Sequence, residues 1–423
     1  MNNEVIQSLI EAYTETRYLN KKEIIYRIKP PTKIEEVWPI IKEFRNNHGL
    51  TTPLKDQQNN SFWFYLPQST MKHLELIDRT ATDNIFQHAQ KPVQRSIILD
   101  ALIDEAFNSS VIEGAFSTKR RTKEMVEKKL KPSNKSEQMI INNFNALDFI
   151  LLNLSSPLDE DMILSIYRIL TKNAVDEGCE VEKYRDDLVF VCDVNSTQPI
   201  FTAPPHTQVQ SLMDALVEFI RTPDDLHPVI KSCIIHFYFV YIHPFFDGNG
   251  RTARAISYMY LLQKGFDFFK FFSISSVVRE QKTKYYKAIK ETEDFESDLS
   301  YFINFYVEMI LDSILRIMDK FNREYGYRLV LAYLNQAGII LSQRQKKAIN
   351  IFMKADKNYT TIDEYSKKLK VTYETARSDL TQLSELGLFK KSKISRRFIY
   401  TIIDLDDIIQ KFNDLKWTPK LNK

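Results

Sequence analysis

The sequence predicts a mainly α-helical protein, with one β-hairpin in its helical core and a small winged helix-turn-helix domain near the carboxyl end. Two observations favour the helical class. Only nine of the 423 residues are glycine, and apolar residues recur with the 3.6-residue period of a helix along most of the chain. The exception is Lys183–Pro205, where apolar and polar residues alternate around a turn-rich middle, as in a hairpin.

Chain length and composition limit the class of protein. With 423 residues, the chain is too long for one ordinary hydrophobic core. It has no run of about 18 apolar residues, and its amino terminus lacks a basic segment followed by a small-residue cleavage site. We therefore expect a soluble cytoplasmic protein with no membrane contact. Cys179, Cys192 and Cys233 lack C-x-x-C spacing, which argues against a disulfide framework or a zinc site.

We expect four regions along the chain. Apolar periodicity makes His227–Tyr241 a buried helix of the largest region, and a second helix is expected from about Arg251 to Gly265. The regions are 1–95 with no assigned role, 96–321 the helical domain, 341–405 the winged domain, and 406–423 a tail.

The winged domain is basic. Between Leu341 and Lys423 there are 18 Lys and Arg residues against 10 Asp and Glu, although the whole chain has a net charge of only +3. Three helical segments, with Thr361 and Thr372 as predicted N-caps, precede the stretch LFKKSKISRRFIYTI, which is typical of a two-stranded wing. A basic domain of this kind is expected to contact the phosphates of DNA, and the alternative is that it docks a protein or forms a dimer. The candidate DNA contacts are Arg377, Lys391, Arg396 and Arg397.

The segment His243–Arg254, HPFFDGNGRTAR, is called the motif loop below. Gly248 and Gly250 let the backbone pass close to a ligand. Their amides, with those of Asn249 and Arg251, lie at the start of the following helix, where partial positive charge collects. The segment therefore predicts an anion site.

The charged residues of the motif loop indicate which anion binds. Arg251 and Arg254 are three positions apart, so both can offer forked donors to a chain of phosphates. Asp247 is a hard oxygen ligand suited to Mg²⁺. His243 can accept a proton near neutral pH. Together they predict a nucleotide polyphosphate bound with magnesium beside a general base, which implies a transfer reaction.

Two other interpretations fit less well. GNGRTA satisfies G-x-G-x-x-A, but a dinucleotide fold needs a preceding strand and βαβ alternation. His236 and His243 are seven positions apart and could share a metal, yet no third ligand has matching spacing. His236 is therefore expected to be a packed core histidine.

The motif loop resembles, without departure, the signature of the Fic family, H-P-F-x-D/E-G-N-G-R-x-x-R. The resemblance extends over about residues 95–300 and implies protein adenylylation, the transfer of AMP from ATP to a Tyr, Thr or Ser hydroxyl of a protein target. By similarity, His243 is the base, Asp247 holds Mg²⁺, and Arg251 neutralises the departing phosphates. The implied nucleotide-binding residues are Gly248, Asn249, Gly250, Arg251, Thr252, Ala253 and Arg254, with Arg254 on the γ-phosphate.

The predicted hairpin, at about 183–205, resembles the flap of that family. The resemblance implies that a target segment adds to it as an extra strand, with Val189 and Val191 as the docking positions. Tyr285 and Tyr286 resemble the family's aromatic pair near the adenine, although tyrosines on a helix surface would give the same pattern; Tyr286 is preferred.

A second match bears on regulation. SSVIEG, Ser109–Gly114, resembles the inhibitory motif S/T-x-x-x-E-G/N, with Ser109 and Glu113 as its defining residues and an inhibitory helix at about 105–116. The implied restraint is a pair between Glu113 and Arg254, which leaves ATP in an unproductive pose.

Several alternatives stay open beside this leading prediction. Removal of AMP, another Fic phosphotransfer and self-modification belong to the same family. A DNA-binding regulator is the alternative from another class, and a homodimer is a further candidate assembly.

Overall fold

The structure is a computed structural model of the chain. It describes residues 3–29, 32–82, 91–176, 178–179, 181–192, 199–324, 327, 330–331, 334–335, 338–354, 357–394 and 397–403. The chain forms two compact units: Met1–Phe86 with Gln90–Ile314, and Gln87–Ala89 with Leu315–Lys423. The described elements are mostly helices, so the predicted fold class is confirmed.

The amino-terminal region belongs to the first unit and contains a hairpin that the sequence did not predict. Its strands pair antiparallel, with Leu50 opposite Phe64 and Thr51 opposite Trp63. Pro53 lies inside the first strand, and a proline normally argues against a strand assignment. The elements are α1 (Asn3–Ile10) with a π-helical turn (Glu11–Glu15), α2 (Lys21–Ile25), α3 (Ile34–His48), β1 (Leu50–Lys55), β2 (Ser61–Phe64) and α4 (Gln68–Thr82).

This region packs on the helical core of the same unit through buried polar contacts. The Tyr18 hydroxyl donates to Asp298 Oδ2 at 2.7 Å, and the Tyr238 hydroxyl donates to the Lys55 carbonyl at 2.9 Å. The amino-terminal region as far as α4 is therefore joined to the core by specific bonds.

The helical core contains ten helices among the described residues, together with the predicted hairpin. They are α5 (Lys91–Ile112), α6 (Lys119–Lys128), α7 (Lys135–Leu152), α8 (Glu160–Thr171), β3 (Phe190–Cys192), β4 (Pro199–Thr202), α9 (His206–Arg221), α10 (Pro228–Ile242), α11 (Asn249–Gln263), a 3₁₀ turn (Asp267–Phe271), α12 (Ile274–Glu280), α13 (Lys282–Asp294) and α14 (Ser300–Glu324).

Helices α10 and α11 form the buried centre of this core and are joined by the motif loop. Pro228 begins α10 at a position where a missing N–H costs nothing, and the His227 ring caps the helix by accepting from the Val229 amide. Aromatic side chains such as Phe237 and Phe239 are fully buried. Both helices predicted around the loop are therefore present.

The predicted hairpin is confirmed and is shorter than the alternating sequence pattern. Phe190 pairs with Thr202, and Val191 pairs with Phe201, in antiparallel register. Residues 193–198, the turn-rich middle of the prediction, lie outside the described residues.

The second unit contains α15 (Gln343–Lys354), β5 (Tyr359–Thr360), α16 (Ile362–Leu369), α17 (Tyr373–Glu385), β6 (Phe389–Ile394) and β7 (Arg397–Ile402). Its strands form one antiparallel sheet in the order β5-β7-β6. Thr361 and Thr372 cap α16 and α17 through their side chains, as predicted. The assignment of this unit as a winged helix-turn-helix domain stays a prediction.

Within the part of the chain that the structure describes, no helix has both the length and the apolar character needed to cross a membrane.

Candidate active site

His243 stands at the end of α10 in a left-handed backbone conformation, with φ 50° and ψ 58°. Its amide donates to the Phe239 carbonyl at 3.1 Å, and its Nδ1 lies 3.2 Å from the Val240 carbonyl. A proton on Nδ1 satisfies that carbonyl, so Nε2 carries the lone pair. The ring is thus held in the tautomer that a base needs.

The surroundings of His243 keep its ring neutral. Burial lowers the pKa of His243 to about 4, and the positive charge of Arg185 acts in the same direction. The Val240 carbonyl, Glu113 and Asp247 favour the charged ring and only partly offset the burial. His243 is therefore deprotonated at neutral pH and can accept a proton.

The glycine turn exposes the start of α11. Gly248 has a φ of +86°, and a Cβ there would lie 2.9 Å from the Thr171 side chain. The Gly248 carbonyl accepts both the amide and the hydroxyl of Thr252 at 2.9 Å. The amides of the first helical turn have no intrahelical acceptor, so they can receive an anion, as the sequence predicted.

Asn249 has a second role that the sequence analysis missed. Its side chain is buried and bonds both to the Phe245 amide, at 3.0 Å, and to the Phe245 carbonyl, at 2.7 Å. Phe245 itself stacks on Tyr167 with ring centroids 3.5 Å apart. The side chain of Asn249 therefore fixes the shape of the motif loop, and this role is independent of the backbone amide that the sequence analysis assigned to anion binding.

Arg251 and Asp247 form one bonded group. Arg251 is fully buried, and donates from Nη1 to the Leu170 carbonyl and from Nη2 to Asp247 Oδ1, both at 3.1 Å. The Asp247 side chain is 38% exposed, so the carboxylate still faces solvent. Arg251 orients Asp247 and adds positive charge beneath it.

Arg254 is bound to the two defining residues of the predicted inhibitory motif. Its Nε donates to Ser109 Oγ, and its Nη2 donates to the Ser109 carbonyl and to Glu113 Oε1, each at 2.8 Å. Its Nη1 is buried and lacks a hydrogen-bond acceptor of good geometry among the described residues. The predicted contact between Glu113 and Arg254 is therefore present.

The electrostatics of this pair keep it charged. Burial favours the neutral acid, but Arg254, Arg251 and Lys282 together hold the pKa of Glu113 below its usual range. The Arg254 pKa is raised, because Glu113 outweighs the effect of burial. Glu113 thus stays a carboxylate at neutral pH.

Glu113 occupies the space in front of the first turn of α11. It follows the end of α5, and Gly114 makes the turn after it with a φ of +94°. A Cβ on Gly250 would lie 2.3 Å from Glu113 Oε1. Carboxylate oxygens therefore sit where the sequence predicts phosphate oxygens.

The two tyrosines of the predicted adenine site differ in exposure. Tyr285 is buried, and its hydroxyl lies 2.8 Å from His236 Nε2. Tyr286 is half-buried, with its ring centroid 5.3 Å from that of Tyr285 and 5.7 Å from Lys282 Nζ. Burial lowers the pKa of His236 well below its usual range, and its Nδ1 has no hydrogen-bond partner in the part of the chain that the structure describes. His236 is thus a core histidine, as predicted.

The structure also describes most of the other predicted residues. The Val189 carbonyl accepts the Ala203 amide at 3.2 Å, and Val191 is in β3. The Ala253 side chain is fully buried. In the second unit, Arg377, Lys391 and Arg397 are exposed, whereas Arg396 lies outside the described residues.

Comparisons with known proteins agree with this fold and motif. The structure resembles that of Fic-1 (residues 134–508) from C. elegans, with a TM-score of 0.53 and 20% identity, covering 74% of this chain and 84% of that one. The fold is therefore that of a helical Fic core. Residues 157–261 match the sequence profile of the Fic/DOC family. This stretch of the chain is thus similar in sequence to the Fic/DOC family.

Two curated relatives from different animals have the same name. "Protein adenylyltransferase Fic" of Nematostella vectensis is 29% identical over 233 residues, which cover 52% of each chain. The protein of the same name from Drosophila willistoni is 25% identical over 225 residues, covering 52% of this chain and 42% of its own. The chain thus spans about half the length of the curated relatives that it matches.

Proposed function

We propose that this protein is a protein adenylyltransferase, which transfers AMP from ATP to a Tyr, Thr or Ser hydroxyl of a protein and is restrained by Glu113. The observation that carries the proposal is the placement of a neutral His243 just before the first turn of α11, with Arg254 on the same helix and Glu113 bound to it. The identity of the transferred group comes from the names of the curated relatives.

In the proposed reaction, His243 Nε2 accepts the proton of the target hydroxyl. The oxygen forms a bond to the α-phosphorus of ATP, and the bond from that phosphorus to the bridging oxygen breaks to release pyrophosphate. The first-turn amides of α11 and Arg251 stabilise negative charge as it develops. Arg254, once released from Glu113, binds the γ-phosphate.

The site has one carboxylate that could hold Mg²⁺ together with the phosphates of a bound nucleotide. Among the described residues, no group of three or more His, Cys, Asp or Glu side chains could hold a metal without a substrate. Asp247 offers one exposed, oriented carboxylate. Mg²⁺ is often held by one or two carboxylates and by substrate phosphates. When bound, the ion would neutralise phosphate charge.

The restraint follows from competition for Arg254. While Glu113 Oε1 accepts from Nη2, a γ-phosphate meets a carboxylate in its place. ATP then binds with its α-phosphate away from the line of attack. Movement of the α5 end, or loss of the carboxylate, would release the arginine.

The proposal is tested with ATP labelled at the α-phosphate, Mg²⁺ and a cell lysate that supplies targets. We expect Glu113→Gly to label protein strongly, the wild type weakly, and the Glu113→Gly, His243→Ala double variant not at all. The matched control is His206→Ala in the Glu113→Gly background, because His206 is exposed at the start of α9. Absence of label with every variant would contradict AMP transfer.

The alternative within the family is removal of AMP, with Glu113 activating water. A pre-adenylylated protein incubated with the wild type and Glu113→Gln distinguishes the two directions. Loss of AMP that requires Glu113 would favour removal.

A second candidate function rests on the exposed basic residues of the second unit, Arg377 on α17 and Lys391 and Arg397 on the two strands. We propose that they contact DNA phosphates. DNA retention that falls steeply with salt, and weakens in Lys391→Ala, would support this role. No retention at low salt would exclude it.

A further inference from the structure

Arg185 lies between the hairpin and the motif loop and is 2% exposed. Its guanidinium donates from Nε to the His243 carbonyl at 2.8 Å and from Nη2 to the Ile242 carbonyl at 3.4 Å. Nη2 also bonds to the Pro204 carbonyl, and Nη1 to the Asp187 carbonyl at 2.6 Å. One side chain therefore holds the end of α10 and both arms of the hairpin.

The backbone of Arg185 extends the same connection. Its amide donates to the Pro244 carbonyl at 2.9 Å. The carbonyls of His243 and of the residue after it are thus both fixed by Arg185. A histidine with φ 50° is outside the favoured backbone region, and such a conformation costs about 1–2 kcal/mol unless its surroundings hold it.

Arg185 is unusual as a buried cation, because each of its hydrogen-bond acceptors in the described residues is a backbone carbonyl. Burial lowers its pKa, and Asp187 opposes the change. A buried charge without an ion pair is costly. The planar fork of arginine, however, can join several carbonyls at fixed angles, which lysine cannot.

We propose that Arg185 is the positioning residue of the reaction: it fixes the His243 ring and the hairpin relative to each other. This inference rests on the proposed function, in which the hairpin docks the target and His243 removes its proton. A misplacement of about 1 Å between base and hydroxyl can lower a rate about 100-fold. Arg185 touches neither reactant and acts through the two backbones.

Two substitutions separate the fork from the charge. Arg185→Met removes both, whereas Arg185→Lys keeps the charge and loses the fork. The matched control is Arg168→Met, because Arg168 is exposed and makes one long bond, 3.4 Å, to the Glu182 carbonyl. All three are made in the Glu113→Gly background, where activity is measurable.

We expect Arg185→Met to lower kcat by about 10–100-fold, with an unchanged KM for ATP, because the α11 amides and Arg254 are untouched. Arg185→Lys should lose part of kcat while keeping the parent's pH profile. In Arg185→Met, the acid limb should move to higher pH, since a positive charge that disfavours protonated His243 is gone. Arg168→Met should behave as the parent.

Hydrogen exchange gives a readout that does not need activity. Arg185→Met should speed exchange of the Ala203 amide, which bonds to Val189 across the hairpin, and Arg168→Met should not. If the Glu113→Gly parent labels no protein, the proposed function fails, but hydrogen exchange still tests whether Arg185 holds the hairpin. If Arg185→Met does not fold, kcat and exchange of Arg185→Lys decide.

The inference is overturned by unchanged exchange and kcat in a folded Arg185→Met or Arg185→Lys variant. It is also overturned if Arg168→Met loses as much activity, or if the fall in kcat comes with an equal loss of ATP affinity. A fall in kcat alone, with faster exchange at the hairpin, supports it.

Discussion

Glu113→Gln removes one charge from the proposed restraint and nearly nothing else. The glutamine has the shape of glutamate and can still accept from Arg254 Nη2, which Glu113 does at 2.8 Å. Arg254 keeps both bonds to Ser109. The substitution therefore isolates the charge of the carboxylate.

The expected magnitude follows from the kind of hydrogen bond. A hydrogen bond to a charged group contributes about 1.5–3 kcal/mol. The bond lies near the top of that range when both partners are charged and near the bottom when only Arg254 is, so the Glu113 charge accounts for about 1–2 kcal/mol. The Arg254 side chain is 3% exposed and that of Glu113 is 26% exposed, so solvent screening is limited. We expect the free energy of unfolding without ATP to fall by about this amount, and ATP affinity to rise about 5–30-fold.

Calorimetric titration with ATP and with ADP, each with Mg²⁺, measures the affinities, and denaturant unfolding measures the stability. ADP lacks the γ-phosphate, so its affinity should change much less than that of ATP. The opposite signs of the two effects are the central expectation. Equal gains for ADP and ATP, or lower stability with unchanged ATP affinity, would refute the competition for Arg254.

Three further predictions concern other contacts. Activity of the Glu113→Gly variant should be constant above about pH 5 and fall only below about pH 4. His243 must be deprotonated to act as a base, its pKa is about 4 beside Glu113, and loss of Glu113, whose charge favours the protonated ring, lowers that pKa further. A pH–rate profile checks this, and an acid limb near pH 6.5 would contradict the effect of burial. Arg254→Lys cannot make the forked contact to Ser109, so we expect weaker ATP binding in the Glu113→Gly background by about 10-fold, measured by titration. Asp379→Asn should destabilise the second unit by about 1–3 kcal/mol, because the buried Asp379 accepts from Arg344 Nη2 at 2.9 Å. In unfolding of the full chain, a probe in the second unit should report this loss of stability, and a probe in the first unit should report no change.

The sequence predicted the parts of the site that lie in short, dense motifs. The helix–loop–helix joint, the hairpin and the Glu113–Arg254 contact were all expected from segments of six to about 20 residues. Such motifs can be recognised in a sequence because each residue type is required by the local backbone geometry, as glycine is by the positive φ of Gly248. The roles of these residues in a reaction stay predictions until the assays above are made.

Contacts between distant positions could not be predicted in this way. Among the described residues the Arg185 side chain bonds only to backbone carbonyls, which every residue type supplies, so no sequence pattern marks its partners. His236 and Tyr285 are 49 residues apart and meet only because α10 and α13 pack together. The amino-terminal strand β1 was missed because it contains Pro53, a residue type that normally argues against a strand.

If Glu113 restrains the enzyme as proposed, its overlap with the space above Gly250 also sets what kind of inhibitor it is. Because the carboxylate is tethered to the same polypeptide, its effective concentration at the site is fixed by the fold and does not change when the protein is diluted. Dilution alone therefore cannot relieve the restraint through this contact. Under the proposed function, the competing triphosphate or a displacement of the end of α5 would shift the balance, and the resting activity would follow the fraction of molecules in which Glu113 is bound to Arg254.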